Sequence, residues 1–148
     1  MTVLANIDVP DLEQAVAFYT QAFGLEVRRR LGQHGAELTG WPVPVWLLEK
    51  AAGTVAAPGC QRCYERHWTP VHLDVVVDDM DGALARAIGA GARVERDVRV
   101  EIWGKIAGLA DPFGHGLCLI EFLNRGYDEI AEDHTLKRNS STSPSRTT

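Results

Sequence analysis

Apolar residues recur along the chain in two rhythms, one of period two and one of period 3.6, and the whole sequence of rhythms comes round twice. Val3, Ala5, Ile7 and Val9 alternate with polar positions, the pattern of a half-buried strand. Pro10-Asp11 then opens a helix, and Gln14, three residues after Asp11, completes a capping-box pair. Leu12, Ala15, Val16, Tyr19 and Phe23 form one apolar stripe of an amphipathic helix, which Gly24 stops. Short strands are predicted at Leu25–Leu31, Ala36–Gly40 and Val43–Glu49, with a loop over Ala51–Thr69. A second strand begins at His72. It runs into a helix with Met80, Ala83, Leu84, Ala87 and Ile88 on one face, ended by Gly89 and Gly91. Ala92–Ile102 alternates, with Val94, Val98, Val100 and Ile102 on one side, and strands at Gly104–Ala110 and Gly116–Phe122 flank the turn Asp111-Pro-Phe-Gly114.

Each half therefore reads strand, helix, three strands. An offset of 68 lays Val9-Pro10-Asp11-Leu12 on Val77-Asp78-Asp79-Met80, and an offset of 72 lays Leu47-Leu48-Glu49 on Leu119-Ile120-Glu121. The expectation is an α+β chain of two tandem βαβββ modules, about 3–50 and 71–124, whose curled mixed sheets form a concave pocket. Together they make a domain over 1–124, followed by an extension over 125–133 and a disordered tail over 134–148.

Charge and composition narrow the partners. The net charge is −5, and the last fifteen residues hold three basic and no acidic side chains, which leaves residues 1–133 at −8. So acidic a body lacks the footprint for nucleic acid or an anionic membrane. No apolar run reaches the roughly 20 residues of a spanning helix, and no signal peptide is read at the start, so a cytoplasmic location with reduced cysteines is expected. All four serines lie within 140–145, which excludes a serine nucleophile from the folded part. Neither a GxGxxG run before a helix nor a P-loop is present, and no cofactor is expected.

The duplicated unit, with DLEQAVAFYTQAFGLEV at one end and LADPFGHGLCLIEF at the other, resembles the vicinal oxygen chelate superfamily over about residues 3–124. That superfamily spans glyoxalases, epimerases, extradiol dioxygenases and drug-binding resistance proteins. The resemblance implies two modules around a pocket, often completed by a second subunit, hence a homodimer. In metal-dependent members the ligands come from the first and last strand of each module. The matching positions here are Leu4, His72, Trp46 and Cys118, and Leu4 and Trp46 offer no lone pair for a divalent ion. No metal is therefore expected, although His72 and Cys118 could hold a soft ion.

Alternation places Leu4, Asn6, Trp46, Leu48, His72, Asp74, Cys118 and Ile120 on the concave face as ligand-binding residues. Tryptophans at 41, 46, 68 and 103 lie outside the helical stripes and suit a rim that stacks a flat, aromatic small molecule. Two readings stay open. One is a binding protein without the usual metal, resembling drug-sequestering resistance proteins. The other is a glyoxalase-like lyase, isomerase or dioxygenase with an atypical metal site or with His72 as the catalytic base. Competing bland readings are a His72 satisfied by Asp74, a Cys118 packed in the core, and an aromatic rim that contacts another protein. Cys60 and Cys63, with His67 nearby, have zinc-like spacing but lack a second CxxC, so a loop is expected there. Arg28-Arg29-Arg30 is expected as a solvated edge, His34 and His115 as solvated turn residues, and His134 as part of the tail.

Overall fold

Asp11 starts the first helix by accepting the Gln14 backbone N–H at 2.9 Å while the Gln14 side chain donates to its second oxygen at 3.0 Å. In the computed structural model, which describes Met1 and residues 3–132, helix α1 spans Leu12–Phe23 and ends on Gly24 at φ +66°, the left-handed geometry that glycine adopts without strain. Before it lies strand β1 (Ala5–Val9), and after it β2 (Glu26–Arg30), β3 (Gly35–Thr39) and β4 (Val45–Glu49). These form a four-stranded sheet in the order β1-β4-β3-β2, with β1 parallel to β4 and the other pairs antiparallel.

The second module repeats this plan. It comprises β7 (Leu73–Val76), α2 (Met80–Gly89), β8 (Arg93–Glu101), β9 (Gly104–Ala110) and β10 (Gly116–Phe122), in the order β7-β10-β9-β8. Asp79 caps α2 by accepting from the Gly82 N–H, as Asp11 caps α1. The predicted loop between the modules contains a short hairpin, β5 (Val55–Ala57) with β6 (Cys60–Gln61).

One core lies beneath both sheets and is shared by α1 and α2, with Phe18, Tyr19, Leu38, Leu47, Met80, Leu109 and Leu119 all buried. Tyr19 of module one reaches into module two, where its hydroxyl donates to Asp111 at 2.8 Å in the β9–β10 turn. The side chain of Asp111 is fully buried and also accepts the Phe113 and His115 N–H groups. His115 is thus not the solvated turn residue that the sequence suggests, because its Nδ1 lies 2.8 Å from Asp111.

Two features depart from the apolar pattern of the sequence. Ile88 is 49% exposed and off the buried face of α2, whose core-facing residues are Met80, Ala83 and Ala87. Val100 and Ile102 are exposed as well, at the far end of the edge strand β8; the two register shifts, between Val94 and Arg96 and between Arg96 and Arg99, cancel and leave Val100 on the same face as Val94. Arg28, Arg29 and Arg30 stand exposed on the edge strand β2, as expected, and are in addition ion-paired, the first two to Glu37 and the third to Glu13.

The linker is tied near its middle to both modules. Arg62 donates to Asp8 of β1 at 2.7 Å, and Arg66 grips Glu95 of β8 with two bonds of 2.8 Å. Past β10 a single 3₁₀ turn, Gly126–Glu129, lays Tyr127 against Trp103 and Phe122, each with ring centroids 4.9 Å away. His134 and the rest of the expected tail lie outside the described residues. Among the described residues no helix is long and apolar enough to cross a membrane.

Candidate functional site

Each sheet carries one row of side chains across its four strands, and the two rows correspond position by position. In module one the register runs Asn6, Trp46, Glu37, Arg29, and in module two it runs Asp74, Cys118, Gly108, Arg96. Both rows end on an arginine for the same local reason. A bulge between Val27 and Arg29 in β2, and another between Val94 and Arg96 in β8, adds one residue to the outer strand. Strict alternation would put Val94 and Arg96 on one face. The extra residue, Glu95, turns Arg96 to the other face, above Gly108.

The module-one row neutralises itself. Glu37 is only 2% exposed and accepts from Arg28 at 3.0 Å and from Arg29 through a short contact. Burial works to raise its carboxyl, and the hydrogen bonds from the two guanidinium groups outweigh that and hold it below the usual carboxylate range. Arg29 also lies 5.8 Å from the ring centre of Trp46, so that a face of this indole is already taken. The buried Trp46 Nε1–H finds no acceptor among the described residues.

The module-two row is open. Beside it lies a cavity of about 450 Å³ lined in part by Arg66, Trp68, His72, Arg96, Gly108 and Cys118. A Cβ on Gly108 would fall 2.5 Å from Arg96 Nε, so the bare backbone is the seat on which this side chain rests. Arg96 Nη2 lies 3.5 Å from Cys118 Sγ, and among the described residues no carboxylate pairs with it. Arg66, by contrast, is committed to Glu95 and sits over Gly116, whose Cβ would fall 2.6 Å from its Nη2. His72 Nε2 is 3.1 Å from Asp74 Oδ1. Burial pushes the Cys118 thiol up from its ordinary value, and the charge of Asp74 adds to this.

The eight residues expected on one concave face are divided between the two sheets. Asn6 and Trp46 face each other in the module-one row, Leu48 pairs with Asp8 in the same sheet, and Leu4, 46% exposed, precedes β1. Asp74 and Cys118 are partners in the module-two row, and Ile120, 1% exposed, pairs with Val76. His72, just ahead of β7, lines the module-two cavity. It also meets Asn6 across a separate cleft of about 430 Å³ between the two modules. Arg96, Gly108 and Trp68 join the site from outside that set of eight. The bulge hid Arg96, since alternation alone gives no warning of the extra residue.

The donor set departs from the superfamily's four metal ligands. His72, Asp74 and Cys118 bring their ligating atoms within 4.8 Å of one another, whereas Leu4 and Trp46 have no lone pair to give. A guanidinium already stands beside the thiol, and a second cation next to Arg96 would be repelled. The four-ligand arrangement therefore does not fit these residues. Cys60 and Cys63 are both exposed and join no group of three ligating residues among those described.

A family model described as a glyoxalase-like domain matches residues 5–120. The chain is 30% identical over 118 residues to uncharacterized protein Mb0911c of Mycobacterium bovis, covering 74% of this chain and 76% of that one. It is equally similar to uncharacterized protein Rv0887c of Mycobacterium tuberculosis, with 74% and 68% covered. Among solved structures, a glyoxalase/bleomycin resistance protein/dioxygenase family enzyme from Burkholderia phytofirmans superposes with a TM-score of 0.64 at 20% identity, over 81% of this chain and 97% of that one. The fosfomycin resistance protein FosX from Listeria monocytogenes gives 0.64 at 16% identity, over 83% and 93%. These two structural likenesses speak for the fold.

Proposed function

The chain belongs to the glyoxalase-like domain family, within the vicinal oxygen chelate superfamily, and from that premise we propose that it is a small-molecule binding protein whose site is the module-two cavity and which works without the usual metal. The observation that carries this reading is the contrast between the rows. One is closed by its own Glu37–Arg29 ion pair, and the other opens on about 450 Å³, a volume within the range of small-ligand pockets. Trp68, at the rim and largely exposed, supplies a face on which a flat ligand stacks. His72 and Cys118 line the cavity, with Asp74 beside them, 3.1 Å from the His72 imidazole.

The test pairs elemental mass spectrometry on protein purified without a metal-affinity tag with calorimetric titration by flat aromatic compounds. Metal far below stoichiometry and binding weakened by Trp68→Ala are the expected results. Near-stoichiometric metal that disappears in His72→Ala would overturn the metal-independent reading.

One contact favours a second reading, a metal-independent lyase or isomerase. The carboxylate of Asp74 orients the imidazole of His72, as a general base requires. Turnover that survives His72→Ala intact would remove it.

A further inference from the structure

Resting on the binding reading above and extending it to the ligand's chemistry, we infer that the module-two cavity takes a small organic carboxylate, held by the guanidinium of Arg96. Arg29 and Arg96 hold the same row position, are aimed inward by the same bulge, and stand over equivalent residues of the neighbouring strand. In module one that residue is Glu37, and its carboxylate occupies the arginine's donors. In module two it is Gly108, which supplies no carboxylate, and Arg96 lies directly over its bare backbone, with Nε 2.5 Å from where a Cβ would stand.

Arg96 is consequently an arginine with the fold's own anion removed. Its only hydrogen bond among the described residues is the 3.5 Å contact to Cys118, whose raised thiol offers a weak, uncharged acceptor. Nearby acidic groups are already engaged, Glu95 by Arg66 and Arg93, and Asp74 by His72. A guanidinium presents parallel N–H donors that match the two oxygens of a carboxylate, which makes that group the natural replacement for the missing Glu37. Module one shows the completed version of this pair built from protein alone.

The experiment compares calorimetric titrations of the full chain with 2-naphthoate and with 2-naphthamide, a neutral molecule of nearly the same shape. The wild type is expected to bind the acid about tenfold tighter than the amide, as a charge-assisted pair implies, with the preference shrinking as salt is added. Arg96→Gln should equalise the two ligands. Gly108→Glu should do the same by restoring the module-one pair, and because Arg96 is exposed, the Arg96→Gln variant tests the idea even if Gly108→Glu folds poorly. Equal affinity of the wild type for both compounds overturns the inference and leaves the binding reading standing. Binding of neither overturns both. A preference for the acid that persists in Arg96→Gln also overturns the inference, since some other group would then hold the anion.

Discussion

Glu49 and Glu121 make the same contact 72 residues apart. Each carboxylate accepts the first backbone N–H of its module's helix, from Leu12 at 3.0 Å and from Met80 at 2.7 Å. Those N–H groups have no partner within the helix, and a negative charge there also meets the positive end of the helix dipole. Both glutamates sit on the helix-facing side of their sheets, which takes them out of any paired acid/base site.

Acid sensitivity follows from that relationship. The backbone bond comes first and the ion pair or histidine contact second in holding both carboxyls below the usual range. A depressed carboxylate confers stability that is present above its unfolded value of about 4.3 and is lost as the pH falls through the folded one. Thermal melts from neutral pH down to about pH 3 should show a steep fall in midpoint for the wild type. Glu49→Gln with Glu121→Gln should give a lower midpoint at neutral pH and a shallower fall.

Tyr19 and Asp111 predict a stability cost that is independent of any ligand. Tyr19 is buried, and burial, followed by the neighbouring Asp111, raises its hydroxyl well above the ordinary value, so it acts as a neutral donor. Tyr19→Phe removes one bond to a charged acceptor and should cost about 2 kcal/mol in urea unfolding. Asp111→Ala should cost more, because it strands the Tyr19 hydroxyl and the Phe113 and His115 N–H groups together.

Thiol labelling should separate the three cysteines. Cys60 and Cys63 are exposed, whereas Cys118 is buried and its thiol is held protonated. Iodoacetamide followed by mass spectrometry should show two rapid additions on the native protein and a third only after unfolding.

The Arg66–Glu95 clamp should govern access to the linker. Glu95→Gln leaves Arg66 without its charged partner, and trypsin should then cut after Arg62 or Arg66 faster than in the wild type while the modules stay intact. Unchanged cleavage rates would show that the clamp does not hold this segment.

Local chemistry made the fold readable. Both helices announce themselves through an aspartate cap and a 3.6-residue stripe, and the offsets of 68 and 72 that align the halves also align Asn6 with Asp74 and Trp46 with Cys118. The site was harder to read. His72, Asp74 and Cys118 follow from alternation, but Arg96 does not, because a bulge moves it to the opposite face from the one its spacing implies. Glu37 lies in a strand where every neighbour but one is buried, and only the cross-strand register shows that two arginines make its charge tolerable there. The hydrogen bond of His115 to Asp111 is equally invisible, since the aspartate's burial depends on Tyr19 from the other module.

Residues 62 and 66 fasten one short stretch of linker to both halves, Arg62 to β1 and Arg66 to β8. Arg66 also lines the cavity. The same strap therefore hangs one wall of the cavity from the other module, whose β1 it holds through Asp8. Lengthening the linker by a residue between the two arginines would slacken that wall while the shared core kept the halves together.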